Sequence, residues 1–205
     1  MSARPRVFPQ EQRRAARVIA IRPRAQHDGG TFVGTLVGVV SWGMLFVSVL
    51  AAVNRARAGA VWPPAGTPDL PTGIAFVAAV AMTLGGGALL YALYSLERAR
   101  TFEVQCGVGV AFLIGVLALH IQRLLLSRAH HEGLRASTTY GAAVYGVVTL
   151  HLVHLVGVVV ALGWVYNLAR QEKLSPLRRP TLRLIVALWC MLTVVWWGAC
   201  RVLFA

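Results

Sequence analysis

Five long apolar runs, separated by short polar or proline-rich breaks, organise the chain. They cover residues 31–53, 72–95, 104–126, 138–168 and 181–204. Runs of this length exceed what soluble elements use, and each suffices to cross a hydrocarbon core about 30 Å thick, which takes roughly 20 mostly apolar residues. The pattern predicts an all-α, polytopic membrane protein with five transmembrane helices. The fourth run is longer than a span requires, so it is expected to tilt or project beyond the bilayer. Glycine recurs inside the runs, as in Gly85-Gly86-Gly87, where small residues let membrane helices approach closely.

The breaks differ in character. The first, residues 54–71, carries Trp62-Pro63-Pro64-Ala65-Gly66-Thr67-Pro68-Asp69-Leu70-Pro71. Its prolines forbid helix and impose a stiff, extended path, and Trp62 suits the membrane interface. The second, residues 96–103, is short enough to make its flanking helices antiparallel neighbours. The third, residues 127–137, holds His130 and His131, read as solvated loop residues beside Glu132. The fourth, residues 169–180, is basic and ends in Pro180, a residue suited to a helix start. No internal repeat is evident, and no soluble domain fits in these connections.

Composition agrees with the pattern. Hydrophobic residues make up 57% of the 205 and charged residues 13%, too little polar surface for a soluble fold. All seven carboxylates (Glu11, Asp28, Asp69, Glu97, Glu103, Glu132, Glu172) lie outside the apolar cores. Proton relays and ion pathways usually rely on embedded carboxylates, so transport finds little support.

The net charge of +13 resembles a nucleic-acid signature until its placement is considered. Seven arginines precede the first run, Arg98 and Arg100 stand in the second break, and Arg170, Lys173, Arg178, Arg179 and Arg183 surround the fourth. These fourteen face six on the other side: Arg55, Arg57, Arg123, Arg128, Arg135 and Arg201. The positive-inside rule then places the N-terminus inside and the C-terminus outside, and nucleic-acid binding is set aside. Residues 1–30 are too basic and too broken by Pro5, Pro9 and Pro23 to form a signal-peptide core. They read as a cytoplasmic arm, ahead of a five-helix domain at 31–205. Residues 11–21 suit a basic amphipathic helix whose Arg13, Arg14 and Arg17 meet lipid or a partner subunit.

Candidate chemistry is sparse. Cys106, Cys190 and Cys200 have no paired spacing and read as small buried hydrophobes. His151 and His154 are three apart and share one face of the fourth helix, with His120 on the third helix as the possible opposite ligand for a haem. At 1.5 Å per residue, His120 lies about 24 Å from the inner end of its run, and His151 and His154 about 17 and 21 Å from the outer end of theirs. That puts His120 more than about 10 Å from His151 in depth, which argues against one haem bridging them. Hydrogen bonding within the bundle, with Tyr145 and Thr149 as nearby candidates, is the alternative. Trp189, Trp196 and Trp197 read as packing and interface anchors, and Asn167 as a local capping or pairing residue. No nucleophile elbow, phosphate loop or His-Glu-x-x-His helix is present.

Three segments carry a resemblance. Trp62-Pro63-Pro64, with Gly66, Pro68 and Leu70-Pro71, leads into the second helix. Tyr140-Gly141 runs on to Thr149-Leu150-His151-Leu152-Val153-His154, an aromatic-Gly segment entering a Thr-x-x-His-x-x-His core except that Thr149 stands two residues before His151. Trp189 to Trp196 has the spacing of a last helix. Together, and in order, they resemble subunit III of the haem-copper (cytochrome c) oxidases, in a short five-helix form without the two N-terminal helices of longer members. The resemblance implies a non-catalytic subunit in aerobic electron transport that holds no cofactor or metal of its own. It would stabilise catalytic subunit I, contact other respiratory-complex subunits and shelter structural phospholipid.

Arginine and alanine usage points to a bacterium, hence the inner (cytoplasmic) membrane. The side-chain groups lost relative to the family are all ionisable. Trp42 follows Ser41 where a carboxylate is expected, no acid stands near Leu119, and the last helix lacks the family's His and Asp. Two further readings stay open on sequence alone: a relative serving a nitric oxide reductase or supercomplex, and a small membrane b-type cytochrome.

Overall fold

A computed structural model describes residues 28–171, 174 and 179–204. Five helices and no strand occur among the described residues: α1 Asp28–Arg57, α2 Thr72–Glu97, α3 Thr101–His131, α4 Thr139–Arg170 and α5 Arg179–Phe204. All five are long and apolar enough to cross a membrane. The chain divides into two units, residues 1–36 and 37–205. The described part of the first is the opening of α1. The second contains the rest of α1 and all of α2 to α5. The arm, with Arg13, Arg14 and Arg17, lies outside the described residues, as do Glu172, Lys173 and Arg178 in the fourth break.

Within the second unit, α2 to α5 form a ring in which α2 packs on α3, α3 on α4, α4 on α5, and α5 on α2. Lipid is as apolar as leucine, so association depends on close packing and hydrogen bonds rather than on a hydrophobic drive. The sequence meets that need with small residues. α2 buries Ala75, Ala78, Ala79, Gly85, Gly86 and Ala92. A β-carbon at Gly107 of α3 would stand 2.8 Å from the Ala88 carbonyl and 2.9 Å from the Ala92 methyl. The α2–α3 turn is as short as expected, with Ala99 at φ 55°.

The proline segment is non-helical as its composition requires, with a cis Trp62-Pro63 bond. Helix ends depart from the apolar runs. α1 continues to Arg57, whose guanidinium donates to the Arg201 carbonyl at 3.2 Å. α3 continues to His131, so His130 and His131 lie in its last turn and not in a loop. The buried stripe carries on past the apolar run to Ala129, and Arg128 in that turn suits the negative end of the helix dipole. Nor is α4 unusual in length, with 32 residues against 31 in α3. Its start is fixed by Thr138, whose hydroxyl accepts from the Gly141 amide at 3.0 Å. A side chain at Gly141 would collide with the Arg135 carbonyl.

Candidate functional site

Two buried polar side chains inside the membrane span, Gln122 and His151, meet where α2, α3, α4 and α5 come together. His151, fully buried, places Nδ1 2.9 Å from the Gln122 side-chain oxygen and Nε2 3.0 Å from the Leu192 carbonyl. A neutral imidazole has one N–H, and a cation at this depth is costly. The Leu192 carbonyl can only accept, so Nε2 carries the proton. Nδ1 therefore needs a donor, and Gln122 supplies one with its amide turned end for end, an exchange of N and O that heavy-atom positions leave free. The other end of that amide faces the Met82 sulfur at 3.8 Å. These three side chains and the carbonyl thus bring all four ring helices together at one level.

Two tryptophans enclose this junction. Trp189 is fully buried and its indole N–H donates to the Met82 carbonyl at 2.8 Å. Its ring occupies a slot between helices: a β-carbon at Gly85 would approach it to 2.5 Å and one at Gly115 to 3.2 Å. Trp196, equally buried, lies 4.9 Å from the His151 ring and donates to the Ala75 carbonyl at 3.0 Å. These rings are interior anchors between α5 and α2. Trp197 is exposed and donates to Thr83 at 3.1 Å.

His154 serves a different neighbourhood. Its Nδ1 lies 2.6 Å from the Leu150 carbonyl, four residues back in the same helix. Its ring sits 4.9 Å from both Trp42 and Phe46 of α1, and Phe46 also meets His151 edge-on at 6.4 Å. The expected partners are not used. Tyr145 donates to the Leu134 carbonyl at 3.1 Å, and Thr149 is exposed. Asn167 pairs locally with Gln171 at 3.2 Å.

The depth expected for His120 is corrected here. Because Gln122 on α3 meets His151 on α4, those two residues share a level, and His120 stands only about 3 Å from Gln122 along the axis. The end of the third apolar run is a poor reference for the outer surface, because α3 continues beyond it to His131. Direction separates the two imidazoles instead, since His151 points into the ring and His120 is exposed on the far side of α3. No cluster of three or more metal-ligating side chains occurs among the described residues.

A second cluster gathers at the end where the α3–α4 turn, the proline segment and the last turn of α5 meet. The Trp62 ring stands edge-on to Tyr140 at 5.0 Å, and Tyr140 donates to the Leu203 carbonyl at 3.4 Å. The indole nitrogen of Trp62 is buried without a hydrogen-bond partner among the described residues. Pro63 is exposed and Pro64 half-buried. The sequence reading missed Gln122, although an amide inside an apolar run was visible as a signal.

Comparison with known proteins adds two findings. Residues 24–202 match the family model described as cytochrome c oxidase subunit III. The chain is also similar to a "Probable cytochrome c oxidase subunit 3" of Nocardia farcinica (strain IFM 10152), with 23% identity over 169 residues that cover 81% of this chain and 83% of that one.

Proposed function

The chain belongs to the cytochrome c oxidase subunit III family, and on that premise we propose that it is the accessory, non-catalytic subunit of a bacterial haem-copper oxidase, packed beside catalytic subunit I and sheltering structural phospholipid. It is a membrane subunit of a cytochrome c oxidase. Its proposed setting is the inner membrane, N-terminus inside, an orientation supported by the uneven placement of basic residues.

The observation that carries the non-catalytic reading is the closure of the His151 site. A haem ligand needs a free imidazole lone pair. Both nitrogens of His151 are engaged, by Gln122 and Leu192, and His154 directs one nitrogen at its own helix. Aromatic surface stands where the family resemblance expects an acid, for Trp42 lies against His154. Among the described residues, carboxylates remain at helix ends and in loops, as with Glu97, Glu103 and Glu132. The interior polar groups therefore hold helices together and offer no proton path of their own.

Purification in mild detergent through a tag on this chain, followed by mass spectrometry and an optical spectrum, tests the proposal. Haem-copper subunits I and II should co-purify, with no haem retained by the chain once it is separated. A Soret band on the isolated chain, or the absence of oxidase subunits, would overturn it.

A further inference from the structure

Every ionisable side chain deep in the α4 interior has an internal partner, whereas two on α3 have none. His120 and Arg123 are exposed, and neither makes a hydrogen bond or ion pair among the described residues. Their depth makes this unusual. α3 runs from Thr101 to His131, so His120 lies about 6 Å and Arg123 about 10 Å from its midpoint. Both fall inside the half-thickness of a hydrocarbon core, about 15 Å. The nearest flanking charges along the helix, Glu103 and Arg128, bracket the same centre. The level is fixed independently by Gln122, which meets His151 near the middle of α4.

The surrounding face is that of a membrane helix turned outward. Leu113, Val116, Leu117 and Leu124 are exposed on it. An arginine can bend its long stem toward the headgroups. Histidine is too short for that, and a polar group turned to lipid without a partner is costly. A phosphate satisfies Arg123 alone, whereas a protein helix crossing the same level satisfies both residues and covers the exposed leucines beside them.

Resting on the subunit III reading, we propose that the outer face of α3 from Leu113 to Ser127 is the seam that receives a transmembrane helix of another oxidase subunit, one bearing a carboxylate at the level of His120 and Arg123. Charge complementarity selects the acid: a cation and an imidazole donor at hydrocarbon depth are best met by one anionic acceptor. Interhelical polar contacts of this kind set register and partner choice as well as affinity.

The test uses the intact complex, purified through a catalytic subunit. A photo-crosslinking residue, p-benzoylphenylalanine, is placed at Leu117 or Leu124. Irradiation should yield an adduct with another oxidase subunit. In parallel, Arg123→Glu should lower the amount of this chain recovered with the complex by at least about tenfold through like-charge repulsion, whereas Arg123→Lys should leave it nearly unchanged. Helix content and gel-filtration behaviour of the separated Arg123→Glu chain should match the parent, since the side chain is exposed. Adducts with lipid only, or equal recovery of the Glu and Lys variants, overturn the seam while leaving the subunit assignment intact. Failure of the unmodified chain to co-purify with any oxidase subunit overturns both.

Discussion

α1 and α5 are both apolar enough to span a bilayer, and α1 has the higher mean hydropathy of the two, yet they are held in different ways. α5 presents an unbroken buried stripe, Leu182, Ile185, Val186, Trp189, Leu192, Val195, Trp196, Ala199, Cys200 and Leu203, with the three-and-four spacing of one helix face. Its indoles donate to carbonyls of α2 across the interface. From residue 37 onward, α1 buries only Phe46 and Val53. It keeps its backbone further from the ring and reaches it with long side chains: Trp42 and Phe46 toward the histidines, Leu50 toward Gly198, and Arg57 toward the end of α5. Hydropathy measures how well a helix suits lipid. Attachment to its neighbours is set by shape and hydrogen bonding, because lipid offers no hydrophobic incentive to leave it.

Substitutions can sharpen or break this contrast. Trp189→Ala should have the largest effect, destabilising the fold by about 3–5 kcal/mol through an interhelical cavity and an unpaired α2 contact. The change would be read as a lowered thermal midpoint of the detergent-solubilised chain. Next, His151→Leu should cost about 1–3 kcal/mol because the Gln122 amide is left buried without its partner. Adding Gln122→Leu should cost less than the two single changes together, and strict additivity in the same thermal assay would show that the pair is not coupled.

Gly107→Ala is expected to cost about 1–3 kcal/mol, since its methyl would meet helix backbone that cannot yield easily. Phe46→Ala should be milder, about 1 kcal/mol from lost ring contacts, and local. Amide exchange should quicken in α1 and stay unchanged in α2 to α5. Global unfolding by that variant would erase the distinction between the two helices. The smallest effect belongs to Gly38→Ala, which meets nothing within 4 Å. It should be neutral or stabilise α1 by up to about 1 kcal/mol, the ordinary gain of replacing a helical glycine.

Much of the architecture was legible in the chain. Five spans, the non-helical proline segment and the tight α2–α3 turn follow from the length of apolar runs and from what proline forbids. These are local constraints, imposed by bilayer thickness and backbone sterics on the residues concerned. The family was legible too, through the Trp62-Pro63-Pro64 loop, the His151–His154 spacing and the tryptophans of α5. The helix ends were less so. α3 runs on to His131 because Ala129 still packs against the ring, a contact with no trace in hydropathy.

Tertiary structure alone decided how the interior is arranged. The sequence puts His151 and His154 on one face, but their partners lie 29 positions away on α3 and 41 away on α5, or on α1, and no periodicity encodes that convergence. Likewise, apolar spacing cannot say that Gly85 and Gly115 form the two sides of a slot for Trp189, nor that His120 faces outward while Gln122, two residues on, faces in. Rotation and height of one helix against the next are set by the fit of side chains at the contact. Bilayer thickness dictates that these helices span; only their mutual packing determines which polar group meets which.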